Sequence, residues 1–264
     1  MKGLLSLLVL LPLPALAQLE HDCMIEARQS IEVRSPVEAV IEQVKVRRGD
    51  AVTRGQVLVE LASGPERAAL ALARSRAAAT GEIKAAQARV DIAQKKADRA
   101  LELFKQNFIS TNSRDEALAD LQLATEELRR ARENQALNEL EAKRSAEVLA
   151  MRTIRSPLNG VVVEVLLKPG EFGAITFKDP IMRLAEIDPL HVEVVLPVSA
   201  YGRVKLRQRA TVMPEAPVGG SYPTTVTVVD PVVDAASGTF GVRLELRNAK
   251  RLIPAGVRCK VRFD

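Results

Sequence analysis

Aromatic residues make up only 3% of this 264-residue chain, and tryptophan is absent. That shortage removes the stacking platform that a single-stranded nucleic-acid binder needs. The excess of basic over acidic residues, 38 against 33, is a net +5 spread along the chain, so no nucleic-acid partner is expected. Histidine is scarce too: only His21 and His191 occur, and neither lies in a His-Glu-x-x-His pattern. Nor is there a Walker-type phosphate loop or a dinucleotide glycine fingerprint. With no tunable acid/base group in a recognisable setting, the chain is not expected to be an enzyme, and no catalytic residue or cofactor is assigned. The stretch "EHDC", Glu20 to Cys23, offers a soft metal two ligands, His21 and Cys23. Two ligands fall short of a closed site, and the segment reads as a solvated tail with no metal.

Long apolar runs are missing as well. Leu4 to Leu13 is the strongest, and it is shorter than the roughly 20 residues a membrane span requires. Lys2 precedes it and Ala15-Leu16-Ala17 comes after, the layout of a secretory signal peptide over residues 1–17. The mature chain is expected to start at Gln18, exported and soluble. Cys23 comes after His21-Asp22 instead of the small apolar residues of a lipoprotein signal, so lipidation is not expected. The only cysteines are Cys23 and Cys259, near opposite ends of the mature chain. In an oxidising compartment two readings stand, a bridge between the chain ends or two unrelated thiols.

From 66 to 151 proline disappears, and Gly81 is the sole glycine. Ala, Arg, Glu, Lys, Gln and Leu fill the stretch, a helix-forming composition. Ile83, Ala86, Val90, Ala93, Ala97, Ala100 and Phe104 fall alternately three and four apart, as do Ala117, Leu121, Ala124, Leu128, Ala131, Gln135 and Asn138. These are narrow coiled-coil seams. Between them "KQNFISTNSRDEA" breaks the pattern, with Ser110 to Ser113 offering N-caps. The segment 64–153 therefore predicts an antiparallel helical hairpin, with arms of roughly 40 residues and about 60 Å.

The flanks of the hairpin repeat each other. "RSPVEAVIEQVKVRRGD", residues 34–50, returns as "RSPLNGVVVEVLLKPGE", residues 155–171, at an offset of 155 − 34 = 121. Val161, Val163, Val165 and Leu167 alternate, as do Val40, Glu42, Val44 and Val46, and Gly49 and Gly170 supply turns. Val40, Val44, Val161 and Val165 are expected to share one core. "VLVEL" from Val57 and "PIMRL" from Pro180 repeat at an offset of 123, so the second copy has the longer turn. Beyond Leu190, runs such as "LHVEVVLP", "TTVTVVDPVV" and "VRCKVRF" alternate with turn residues, as in a small all-β barrel or sandwich.

Two β half-motifs parted by a coiled-coil hairpin, then a β-barrel, resemble the periplasmic adaptor or membrane fusion proteins of the HlyD family that serve RND-type efflux pumps. "VVDPVVDAASGTFGVRLELRNAKRLIPAGVRCKV", residues 228–261, is similar to the barrel of these adaptors. The resemblance implies a mixed α and β, elongated fold: a lipoyl-like β-sandwich in two halves (34–63 and 154–187), the hairpin (64–153) and a β-barrel domain (188–264). Residues 18–33 are expected to join the barrel or membrane-proximal region. True carrier domains place a modified lysine between their halves, whereas "VELASGPERA", residues 59–68, has none, so the sandwich is architectural.

The function this implies is an adaptor linking an inner-membrane RND transporter to a TolC-type outer-membrane channel, in the periplasm of a Gram-negative envelope and held to the inner membrane through partners. A homo-oligomeric ring of six copies is implied by the same resemblance. The alternatives are an adaptor of an ABC-type exporter or type I secretion system, and a free structural coiled-coil protein of the envelope. In RND-type adaptors the hairpin tip docks the channel through an Arg, a Leu and a Ser at relative positions 0, 4 and 11. Arg99, Leu103 and Ser110 fit that spacing, and Ala100 departs from the family's Leu.

Overall fold

A computed structural model describes residues 20–173 and 180–264; the signal peptide lies outside the described residues. In chain order come β1 (Glu20–Val33), β2 (Ala39–Val44), β3 (Ala51–Val52), β4 (Val57–Leu61), α1 (Gly64–Ala78), α2 (Gly81–Lys105), α3 (Thr111–Ala150), β5 (Thr153–Arg155), β6 (Gly160–Val165), β7 (Phe172–Gly173), β8 (Met182–Pro197), β9 (Arg209–Pro214), β10 (Tyr222–Val229), β11 (Thr239–Leu246) and β12 (Val257–Phe263).

The two repeats interlock. Ala39 and Val40 of β2 pair with Gly173 and Phe172 of β7, and at an offset of 121 Gly160 and Val161 of β6 pair with Val52 and Ala51 of β3. Each half therefore completes the other through the same register. The turn glycines obey the same symmetry. Gly49 N–H donates to the Val162 carbonyl (2.8 Å) and Gly170 N–H to the Ile41 carbonyl (2.9 Å). Both glycines stand at φ 91°, a left-handed backbone that excludes most side chains. The closing acids cap these turns: Asp50 accepts from Arg47 N–H (2.7 Å) and Glu171 from Lys168 N–H (2.6 Å). The shared Arg-Ser-Pro opening has its reason in the buried serines, for Ser35 and Ser156 each donate to the carbonyl two residues on, of Val37 and Leu158. A buried hydroxyl needs such a partner.

The core of this sandwich differs from the sequence expectation by one residue. Ile41 and Val162 are buried with Val46, Val52, Leu58, Leu61 and Leu184, while Val44 and Val165 sit at its margin. Val40 is 40% exposed and Val161 lies outside the cluster. The cause is a β-bulge in each copy, between Ile41 and Gln43 and between Val162 and Glu164. A bulge adds one residue and reverses the inward face. The alternation is right after the bulge and inverted before it.

The helical hairpin buries the seams foreseen. Ala86, Ala93 and Ala97 of α2 face Ala117, Ala124, Leu128 and Ala131 of α3. Its first arm, however, is two helices. The chain leaves the helix at Ala79, whose ψ of 106° is extended, and restarts after Thr80. The buried positions explain the break. Buried Leu70 and Ala73 of α1, with half-buried Ala77, would continue a heptad at 80 and 84, whereas α2 presents Ile83. One residue too few separates the seams, and an unbroken helix would rotate one of them away from α3.

The barrel is closed from six antiparallel strands in the order β1-β12-β9-β10-β11-β8, with β1 pairing back onto β8. Its core holds Ile25, Leu190, Val192, Leu196, Val212, Leu244 and Val261. β1 and β8 also run on into the sandwich, where Val33 pairs with Met182 and β8 pairs with β6. The boundary expected at residue 188 thus falls within a strand, and residues 20–23 form barrel strand, not a tail.

Candidate functional site at the hairpin tip

The tip is built by a helix C-terminus and a helix N-terminus set back to back. At the end of α2, Asn107 takes φ 58°, its N–H donates to the Phe104 carbonyl (3.0 Å), and Phe108 N–H donates to the Leu103 carbonyl (2.9 Å). This pair of bonds around a left-handed Asn is a Schellman C-cap. Ser110 then N-caps α3, its hydroxyl oxygen accepting from Ser113 N–H at 3.2 Å. Arg114 folds back over the Phe104 ring at 4.4 Å and pairs with Asp115 at 2.6 Å. The turn is therefore pinned from both helices.

This geometry presents apolar side chains to solvent. Leu103 is 42% exposed and Phe108 73%. Arg99 lies one turn before Leu103 on the same side of α2; its Nε donates to the Lys95 carbonyl (3.1 Å), and the rest of the guanidinium points to solvent. Of the three predicted residues, Arg99 and Leu103 share a face, and Ser110 sits across the turn with its hydroxyl engaged in capping. Ala100 faces the seam, half-buried. Phe108, the most exposed large apolar residue of the tip, escaped the sequence reading. The signal for it was Asn107, which marks the C-cap and so makes the next residue the summit of the loop.

The flank and base hold the tip in place. Lys96 bridges α2 to Asp120 of α3 at 2.6 Å, and Arg89 to Glu127 at 3.0 Å. Asp120, hydrogen-bonded to Lys96, holds that ammonium above its usual pKa. At the base, Arg152 just after α3 pairs with Glu66 in the first turn of α1 at 2.6 Å, both side chains less than a fifth exposed. Arg152 also donates to the Glu38 carbonyl of the sandwich (3.3 Å). One guanidinium thus ties both ends of the hairpin to the β-domain.

The remaining predicted residues lie in the barrel. Cys23 of β1 and Cys259 of β12 are direct cross-strand partners, with Cα atoms 4.9 Å apart and the sulfurs at bonding distance. His21 packs its ring against Phe263. Among the described residues no group of three or more His, Cys, Asp or Glu is set to hold a metal, and no helix is long and apolar enough to cross a membrane.

A split sandwich, an inserted hairpin and a six-stranded barrel are together the architecture of membrane fusion proteins, a class of adaptors rather than of enzymes. The chain belongs to the CzcB-like, barrel-sandwich hybrid domain family, which matches residues 29–186, and residues 189–264 match the CusB-like, beta-barrel domain. It is similar to the cobalt-zinc-cadmium resistance protein CzcB of Cupriavidus metallidurans, 27% identical over 79% of this chain and 37% of that protein. It is also similar to the nodulation protein NolF of Rhizobium meliloti, 26% identical over 84% and 57% of the two chains. Among solved structures, MacA from Actinobacillus actinomycetemcomitans superposes with a TM-score of 0.77 at 20% identity, covering 93% of this chain and 77% of that one. The chain spans about half the length, or less, of the curated relatives it matches.

Proposed function

We propose that the protein is the periplasmic adaptor of a tripartite efflux pump, linking an inner-membrane RND transporter to a TolC-type outer-membrane channel. The observation that carries this reading is the tip. Leu103 and Phe108 are held out in solvent by a capped turn at the end of α3's 40 residues, about 60 Å of helix at 1.5 Å per residue. Exposed apolar side chains at a rigid extremity suit insertion into a groove between partner helix ends, with Arg99 supplying a fork of donors to carbonyls or carboxylates at the rim. The likeness of the barrel to the CusB-like family supports the RND-type transporter over an ABC-type exporter.

The role is mechanical. The sandwich keeps a lipoyl-like interlock without a carrier lysine, and it serves as the platform from which the hairpin projects. Copies arranged head to tail close into a ring, six by family resemblance.

In cells, photo-cross-linking from position 108 should capture the outer-membrane channel. Leu103→Asp and Ser110→Arg should abolish both capture and efflux while leaving protein levels unchanged. Unchanged efflux and capture in both variants would refute the docking assignment.

A further inference from the structure

One flank of the hairpin carries aliphatic side chains that the α2–α3 seam does not use. The bridges Lys96–Asp120 and Arg89–Glu127 mark this flank and set the two helices level along it. Between the bridges Ile92 of α2 and Leu123 of α3 line one shallow depression, 69% and 64% exposed. Residues seven apart share a face of a coiled-coil helix, so Leu137, two heptads from Leu123, lies on the same flank; it is 63% exposed.

The charges of the flank are sorted by helix. α2 presents Arg89, Lys96 and Arg99, and α3 presents Glu116, Asp120 and Glu127. Nearer the base the order reverses: Glu82, one heptad before Arg89, belongs to α2, and Arg130, one heptad after Leu123, belongs to α3. Glu82, Arg99, Glu116 and Arg130 are exposed and make no ion pair among the described residues. From Glu116 to Leu137 the flank runs about 32 Å at 1.5 Å per residue and is two helices, about 20 Å, wide. That is roughly 600 Å² per copy and about 1,200 Å² if two copies meet, the lower end of specific interfaces.

We propose that two copies of this chain pair through these flanks, face to face, with their tips level and pointing the same way. A two-fold axis along the hairpin lays α2 of each copy over α3 of the other. Ile92 then meets Leu123, Arg89 and Lys96 meet Glu127 and Asp120, and the reversed pair, Glu82 and Arg130, comes together nearer the base. Arg99 comes level with Glu116, and its five donors serve that carboxylate and the duct rim together. Two other arrangements fail on the same residues. An antiparallel pair lays α2 on α2 and sets Arg89 against Lys96, a like-charge contact. A head-to-tail stack buries Ile92 and Leu123 against the opposite flank, which is marked by the hydrogen bond from Arg132 to Gln87 (3.2 Å). At their height that flank shows Gln94 and Thr125, and its aliphatics, Leu101 and Leu118, stand nearer the tip and are less exposed. The pair is isologous, distinct from the head-to-tail contacts that close a ring, and it does not depend on the duct-docking reading.

The test is sedimentation of protein recovered from the periplasm. The unaltered chain should run as a dimer at about 100 μM, a concentration that populates a micromolar interface. Ile92→Glu alone and Leu123→Lys alone should each weaken the dimer on the order of a hundredfold, as for a central contact residue. Their circular dichroism should be unchanged, because both side chains are mostly in water in the single copy. An equal mixture of the two variants should re-form the dimer, since the two-fold axis sets the introduced carboxylate against the introduced ammonium and leaves the other Ile92–Leu123 contact intact. Neither the antiparallel pair nor the head-to-tail stack brings positions 92 and 123 of different copies together, so a mixture that stays monomeric would overturn the proposal. A monomeric unaltered chain, or a dimer indifferent to both substitutions, would overturn it as well.

Discussion

Gln135 of α3 donates its side-chain amide to the carbonyl of Ala77, at the frayed end of α1. The partner is needed there because the last four carbonyls of a helix lack intrahelical donors, and α1 stops at Ala78. Gln135 is therefore a polar residue in an apolar seam with a specific task, serving as a C-cap lent by the opposite helix.

Replacing Gln135 by Leu should leave the hairpin helical and expose the break. A part-buried carbonyl loses its donor, at a cost of about 1–3 kcal/mol. Hydrogen exchange at residues 78–82 should accelerate, while exchange around Ala97 and Ala124 stays as it was. Uniform acceleration along the hairpin would show that the residue acts on the whole seam.

Arg152→Met alone should destabilise the base of the hairpin by about 1–3 kcal/mol, less than for a fully buried pair, because the half-buried Glu66 loses its partner. Adding Glu66→Leu should recover most of that loss. Denaturant unfolding of both variants checks the sign. A double variant no more stable than the single would mean that packing, and not the orphaned charge, carries the effect.

The cysteine pair closes a sequence separation of 236 residues. Chain-entropy reasoning gives such a closure about 5 kcal/mol. Reductant should therefore shift barrel unfolding to markedly lower denaturant, and alkylation should count no thiols before reduction and two after. Two reactive thiols in the untreated protein would refute the bridge.

Gly160→Ala should cost about 3 kcal/mol or prevent folding. A Cβ at this position would lie 2.2 Å from the Ala185 carbonyl oxygen, and that oxygen belongs to β8 backbone, which cannot move aside alone. Ala39, the equivalent residue of the first repeat, already carries a Cβ, so the two halves are not interchangeable. Gly81→Ala, where nothing lies within 4 Å, is the control and should be neutral or stabilising by about 0.5 kcal/mol. Comparable melting temperatures for the two variants would contradict this account.

Much of this was readable beforehand because the informative patterns are local. The seam from Ile83 to Phe104 repeats every few residues, and its alanines Ala86, Ala93 and Ala97 are buried with Ile83, Val90, Ala100 and Phe104 half-buried beside them. The Arg-Ser-Pro echo at an offset of 121 marks the paired halves of one sandwich. The hidden parts depend on residues far apart or on single insertions. The bulges beside Ile41 and Val162 shift the phase of an alternation that each strand otherwise keeps. The break at Ala79 answers a phase slip visible only when the seam of α1 is set against α2. The pairing of β1 with β12 joins the two ends of the chain, and no periodicity within either strand points to it. At the tip, the family resemblance named Leu103, which is exposed there, but Phe108 emerges only once Asn107 is seen to turn the backbone left-handed.

The pairing of the first described strand with the last also sets the order in which the protein can be made. The hairpin has only near neighbours in sequence and can zip up as soon as it appears, whereas residues 34–61 must wait for a partner half some 120 residues later. The barrel waits longest, since Glu20 pairs with Arg262, 242 residues later. Until then β1 can pair with β8 on one side only and carries an unpaired thiol, and contacts of such long range are the slow ones to form. Translocation that delivers the chain unfolded, with closure in one late step, suits this topology better than folding domain by domain during synthesis.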